Sequence, residues 1–397
     1  MAYVASSQAL LDVPGWSASA FVFAGLVIVT LVAGRLYHAW PLYVSKWTLI
    51  PLAFLAYCLL RSFSGIKDTA PFNAFAQVAS AFAGGIAVAL ALRLAVSFKA
   101  LVYAQVAANL LQIVLVLMGF GEPPAPGEES FRYAGLTGNA NLLALQLTLG
   151  ACLIWLVPRK AGIFSCLFAF AAVGFAVTVT GSRKALLVSA FFVLLVLIQA
   201  VTFLPKTRRR VWIPLAAGAI GLALVAGGRW LTQHGIEILA VQRAVDYEDS
   251  SYRTRAEMLE QAVQLWKQAP VFGNGLDAFR GLSGQGTYSH NNYVELLCDI
   301  GVAGTLLFYA IHAQALVRAF YAPIILRLYC CSFVLMLLLT DLGYVSYASK
   351  QSVMILMLLT VLPTSRYAQK HWRHSAEHAG SRHHEPKAAP RRFVMQS

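Results

Sequence analysis

Residues 289 to 313 read SHNNYVELLCDIGVAGTLLFYAIHA. A histidine and two asparagines stand directly before an apolar run of about twenty residues, the length an α-helix needs to cross a bilayer. If that run is a membrane span, the polar cluster is its mouth. The rest of the chain supports that reading. Of 397 residues, 58% are hydrophobic and 12% charged, and the mean hydropathy is +0.64. A soluble domain carries about twice that share of charge. Apolar stretches of similar length recur along the chain, without the short alternating segments of a β-barrel. The expected fold class is therefore an all-α polytopic membrane protein.

Eleven candidate spans lie near 18–35, 45–62, 72–95, 100–120, 140–157, 162–181, 185–204, 211–229, 292–313, 321–341 and 347–363. A twelfth, unrecognised segment would alter only the placement of the N-terminus. The first sixteen residues hold no positive segment followed by an apolar core, so no cleaved signal peptide is expected. The organisation read from this pattern is an N-terminal bundle over 1–229, a long polar loop over 230–290, C-terminal spans over 291–364 and a basic tail over 365–397. The tail is polar and expected to be disordered or to lie on headgroups. The six cysteines lie in or beside apolar stretches without metal-ligand spacing and read as small buried hydrophobes.

The formal net charge of +14 favours topology and anionic lipid over nucleic acid as its explanation, and no nucleic-acid partner is expected. The basic loop KTRRR at 206–210 marks the cytoplasmic side. The 230–290 loop, the segment 127–141, the turn TGSRK at 180–184 and the turn YVSYASK at 344–350 then lie on the outer face. Basic residues crowd this face although topology disfavours them there, among them Arg61, Arg132, Arg183, Arg253, Arg255 and Lys350. Binding of a polyanion is the simplest explanation. For Arg61, Arg132 and Lys350, a long side chain snorkelling to the interface is the alternative.

Within the outer loop, residues 252–268 place Met258, Leu259, Ala262, Leu265 and Trp266 at helical spacing, with Glu257, Glu260 and Lys267 opposite. That predicts an amphipathic helix on the membrane or on the bundle, ended by Pro270. Gly273 and Gly275 then allow a tight turn. Arg253 and Arg255 fall at the start of this helix, where they would either reinforce an anion site or pair with Asp246, Glu248 or Asp249. His290 can exchange protons near neutral pH, but a histidine at a helix mouth would show the same pattern. Asn291 and Asn292 are both good helix caps. Gly301 and Gly304 read as close-packing positions on the span. No metal-ligand set and no phosphate-cradling GxxxxGK[ST] loop occurs. A basic outer cleft open to the bilayer then suits a lipid-linked diphosphate better than a nucleotide.

These motifs together resemble the O-antigen ligase and O-antigen polymerase superfamily. The resemblance rests on His290, Asn291, nine residues, then Gly301 and Gly304; on Arg253, Trp266, Pro270, Gly273, Gly275 and Phe279; on Ser182 and Arg183; and on Gly138, Asn139, Asn141 and Ala144. It covers about 130 to 310. It implies a metal-independent, inverting membrane glycosyltransferase without a cofactor. Such an enzyme moves a glycan from an undecaprenyl-diphosphate donor to a glycan or lipid A core acceptor, at the periplasmic face of a bacterial inner membrane. His290 matches the general base, and Arg183 and Arg253 match the arginines that hold the diphosphate. Arg132, Arg61 and Lys350 are further candidates for that role. Membrane lipids and other polysaccharide-assembly proteins are the partners the resemblance admits. The short stretch from Arg253 to His290 favours a polymerase over a ligase. A flippase of the same glycans is the competing reading, but it would be expected to show internal repeats and mid-span charges.

Overall fold

The structure, a computed structural model, describes residues 46–63, 70–94, 98–118, 140–155 and 250–365, with short pieces at 168–169, 171–176 and 188–193 and the single residues 180 and 182. The predicted spans near 18–35 and 211–229 lie outside the described residues, and those near 162–181 and 185–204 are described only in part. The described residues form helices and connecting turns, in keeping with the all-α membrane fold. In chain order the helices are α1 (Leu49–Ser62), α2 (Ala70–Leu94), α3 (Phe98–Leu117), α4 (Ala140–Trp155), α5 (Ser250–Gln268), α6 (Ala278–Leu282), α7 (Asn292–Ala319), α8 (Ile324–Thr340) and α9 (Lys350–Val361). Residues Pro71–Arg93 of α2 and the whole of α7 are each long and apolar enough to cross a membrane, and α1, α3, α4, α8 and α9 are shorter apolar helices.

Helix α9 is the centre of the bundle. Every residue from Gln351 to Val361 is buried, as expected of a helix apolar on all sides. Its most extensive partner is α2. Gly85 makes that approach possible, since a Cβ there would lie 2.8 Å from Met357 Cγ. Polar side chains tie α3 to α4. Gln105, Asn109 and Gln112 recur at i, i+4 and i+7 and so share one face of α3. Asn109 donates to the Leu147 carbonyl, Gln112 to Gln146 Oε1, and Gln351 of α9 to the Gln146 carbonyl. Between apolar helices in lipid such bonds replace the hydrophobic drive as glue.

Helix α5 is the predicted amphipathic helix, two residues longer at its N-terminus than expected. It lies on α7 rather than free on a membrane surface. Met258 and Ala262 pack with Phe279 and Cys298, flanked by Leu265 and Val294.

The span expected over 292–313 runs to Ala319 and is broken at Gly301, whose φ of 68° and ψ of −174° are not helical. Gly301 is closely packed, but against the corner at 271–273, and its backbone breaks the span. The break releases backbone groups that a straight helix would satisfy internally, and each must find a partner. The corner after α5 supplies them. Asn274 N and Gly275 N donate to the carbonyls of Cys298 and Asp299, while Val302 N and Ala303 N donate to the carbonyls of Pro270 and Val271. Tyr57 Oη donates to the Ile300 carbonyl at 2.9 Å. A Cβ on Gly273 would lie 2.4 Å from the Asp299 oxygen, and one on Gly301 2.4 Å from the Val271 oxygen. The two glycine motifs, 28 residues apart between Gly273 and Gly301, are two sides of one joint. Gly304 plays a different part: a Cβ there would meet the Ile300 side chain at 2.6 Å, within α7 itself.

Candidate functional site

Helix α7 begins in a pinned turn. Asn291 is its N-cap, with Oδ1 accepting from Tyr293 N at 3.0 Å and Val294 N at 3.3 Å. Such a cap stabilises a helix start by about 1 kcal/mol. On the other side of His290, Ser289 N donates to Glu295 Oε2 at 2.5 Å, and Ser289 Oγ donates to the Asn291 carbonyl at 3.0 Å. His290 between them has φ 61°, the left-handed region that few non-glycine residues adopt. The half-buried imidazole meets the Tyr288 ring edge-on, with centroids 4.5 Å apart.

The charges around this turn come from four elements. Burial raises the Tyr288 phenol above its usual pKa; the Arg255 guanidinium of α5 opposes that, Glu295 of α7 reinforces it, and Arg280 of α6 opposes it. Burial also raises the Asp277 carboxyl, against the pull of Arg280 at 3.5 Å. Tyr344, in the turn between α8 and α9, is pushed up to about 12 by burial and is close enough to Tyr288 to feel its charge. The loop leading to His290 is tied to α5 through Gln285 Nε2, which donates to Gln261 Oε1.

A buried polar network fixes the base of the turn. Asn292 is not a cap, as either asparagine was expected to be; it is fully buried and joins three segments. Its Nδ2 donates to Asp341 Oδ2 and to Tyr309 Oη, each at 3.1 Å, and its Oδ1 accepts from Ser346 N and Tyr347 N. Tyr309 Oη donates to Asp341 Oδ2 at 2.9 Å. Tyr347 Oη donates to Asp299 Oδ2, whose other oxygen accepts from Phe279 N at the start of α6. The turn after α8, the corner helix α6 and the start of α7 are thus locked together beneath His290.

The expected site residues fall in several places. His290 and Asn291 stand at the mouth of α7 as described, and Gly273, Gly275, Gly301 and Gly304 form or adjoin the joint below it. Asn141 near the start of α4 accepts from Ser182 Oγ at 2.9 Å, which joins one residue of each of the two motifs. Arg132, Asn139 and Arg183, with the acidic residues upstream of α5, lie outside the described residues. Arg61 donates from Nη2 to the Gly273 carbonyl at 2.8 Å, which places its guanidinium at the joint. Lys350 is the half-buried first residue of α9. Arg253 is exposed on α5, whereas Arg255, half-buried, is the one of the two whose charge reaches Tyr288. Residues two apart on a helix point in different directions, so only one of the pair can face the turn. Among the described residues, no three His, Cys, Asp or Glu side chains are grouped to hold a metal ion.

The family model described as O-antigen ligase matches residues 168–309, from the TGSRK region through α5, the joint and His290 into α7. No curated protein matches the chain. The matched segment holds α5, α6 and the start of α7, while the turn after α8 with Asp341, Ser346 and Tyr347 lies beyond it.

Proposed function

We propose that this membrane protein, with its O-antigen ligase-type segment over 168–309, is a glycosyltransferase that moves glycans from an undecaprenyl-diphosphate carrier at the outer face of a bacterial inner membrane. The observation that carries the reading is the pinned turn 289–291. It holds an imidazole in a left-handed backbone geometry between a helix cap and a carboxylate contact, with an arginine charge close by. A side chain carried on a backbone held this firmly suits proton transfer at a fixed point.

In this mechanism His290 takes the proton from the acceptor hydroxyl as that oxygen attacks the anomeric carbon. The new carbon–oxygen bond forms on the face opposite the departing group, which inverts the configuration. The bond from that carbon to the diphosphate breaks, and undecaprenyl diphosphate leaves with the electron pair. A diphosphate is a fair leaving group, so the protein mainly orients the partners and neutralises charge. Arg255 and Arg183 are assigned to that task, guanidinium forks matching phosphate oxygens in pairs. Arg255 is preferred to Arg253 for this place, because Arg255 is half-buried and its charge, with that of Arg280, reaches Tyr288, whereas Arg253 is exposed. The short stretch from α5 to His290 favours another lipid-linked glycan as the acceptor over lipid A core. The test is His290→Ala and Arg255→Ala in protein reconstituted with undecaprenyl-diphosphate glycan, alone or with lipid A core. Longer lipid-linked chains identify a polymerase and modified core a ligase; undiminished turnover by His290→Ala overturns the assignment of the base.

A further inference from the structure

The joint at Gly301 divides α7 into two parts of different character. Residues 302–319 are apolar apart from a few polar side chains and span about 27 Å at 1.5 Å per residue, close to the hydrocarbon thickness of a bilayer. Residues 292–300 carry Asn292, Glu295 and Asp299, all buried against the outer elements. On the lower part, Val302, Leu306, Ala313 and Val317 are exposed at helical spacing and form one apolar stripe, with Leu306 66% exposed. The corner bonded to residues 302 and 303 extends this stripe at its outer end: Val271 is 54% and Phe272 60% exposed. A loop tip in water gains nothing from two such side chains, but a tip continuous with a lipid-facing stripe buries them.

The residues around the corner fit an interface. Trp266 donates from Nε1 to the Pro270 carbonyl at 3.0 Å, and Arg61 donates to the Gly273 carbonyl. Tryptophan and snorkelling arginine are the side chains that mark the outer edge of the acyl layer. The other end of the stripe carries matching markers: Arg318 donates to the Thr360 carbonyl, Arg327 lies over the Phe320 ring, and Tyr321 is exposed. The length between the two sets is the length of the lower part of α7.

We infer that the outer hydrocarbon boundary crosses α7 at the Gly301 joint, and that the Val271–Phe272 corner is seated in the acyl chains of the outer leaflet as an anchor for the α5–α6 cap. The upper part of α7 then stands clear of the hydrocarbon. The nine residues 292–300 between the joint and the turn that carries His290 rise about 14 Å along their own axis, at 1.5 Å each. The corner's partner is bilayer lipid. The inference rests on the membrane fold and not on the glycosyl-transfer reading, so each can fail alone.

The test is spin labelling of the full chain reconstituted in phospholipid bilayers. Cys58, Cys152, Cys298 and Cys330 are buried, so a background of Cys166→Ser and Cys331→Ser leaves little to label. Single cysteines are placed by Phe272→Cys, by Leu306→Cys on the stripe and by Gly284→Cys in the loop before His290. Collision with oxygen, which enters the acyl layer, is compared with collision with a water-soluble nickel chelate. The label at 272 is expected to resemble that at 306, with a ratio several-fold above that at 284. A ratio at 272 equal to that at 284 overturns the inference. Doxyl-lipid quenching of a Phe272→Trp variant, read as the difference from wild type, provides a second measure: strongest quenching by shallow doxyl positions is expected, and no added quenching overturns it.

Discussion

Replacing Gly301 with alanine tests the joint most severely. At φ 68° and ψ −174° the residue occupies a region that is almost exclusive to glycine, and a side chain there costs about 1–3 kcal/mol. The new Cβ would also lie 2.4 Å from the Val271 carbonyl oxygen and 2.5 Å from Gly273 N. Neither backbone can yield without separating the corner from the helix. The bonds first at risk are those from Ala303 N to Val271 O and from Val302 N to Pro270 O, at 3.1 and 3.0 Å. Losing both removes roughly another 1–3 kcal/mol. The sum is about 2 to 6 kcal/mol, a large part of the roughly 5–15 kcal/mol by which proteins are stable. The assay is denaturant unfolding of purified protein in micelles, with Gly281→Ala as the control. Gly281 has no neighbour within 4 Å of a built Cβ, so alanine in that short helix should hold or slightly raise stability. If Gly301→Ala stays within about 0.5 kcal/mol of wild type, the range of an ordinary surface change, the joint is not built as described.

Four further outcomes follow from the site. Asn292→Leu strands the Ser346 and Tyr347 N–H groups and leaves Asp341 Oδ2 with Tyr309 Oη but without the amide; a loss of about 2–4 kcal/mol is expected in the same unfolding assay, and a neutral result contradicts the network. Asn291→Ala should cost about 1 kcal/mol by loss of the cap, with Asn291→Ser recovering most of it. Arg255→Ala should lower glycan turnover about 10- to 100-fold, the worth of one charge-assisted contact of about 1.5–3 kcal/mol, while Arg253→Ala stays near wild type; the reverse order would return the role to Arg253. Burial raises the Asp277 carboxyl, so its charged form opposes folding: its contribution is fully present below the unfolded pKa of about 3.9 and is lost as pH rises through the higher folded value. Asp277→Asn also suits φ 62° and should match or exceed wild-type melting temperature at pH 7, with its advantage shrinking towards pH 4.

The helices were largely legible because hydropathy reports burial in lipid or protein directly. Predicted spans near 45–62, 72–95, 100–120 and 140–157 correspond to α1 to α4 within a few residues, and the amphipathic periodicity of α5 placed its buried face. The break in α7 was not legible. The apolar run continues on both sides of Gly301, and a GxxG pattern reads equally well as a packing surface. What distinguishes a break is the pairing of its backbone with residues 270–275, and backbone pairing leaves no side-chain signature beyond the two glycines. Asn292 was misread for a related reason: its side chain suits a cap as well as a buried hub, and only the approach of Asp341 and Ser346 decides. Arg253 and Arg255 differ by the rotation of two helical residues, so choosing between them needs the helix phase relative to Tyr288. One signal was available and passed over: Glu295 lies four residues into a helix whose cap was recognised.

The central claim is that His290 serves as the base of a glycosyl transfer from a lipid-linked donor. Its most direct test is a time course with purified wild type and His290→Ala in bilayers containing undecaprenyl-diphosphate glycan, following free undecaprenyl diphosphate and the glycosylated product together. The account predicts that wild type releases the carrier in step with product and that His290→Ala, folded to the same melting temperature, releases neither. Equal release by the folded variant would contradict it.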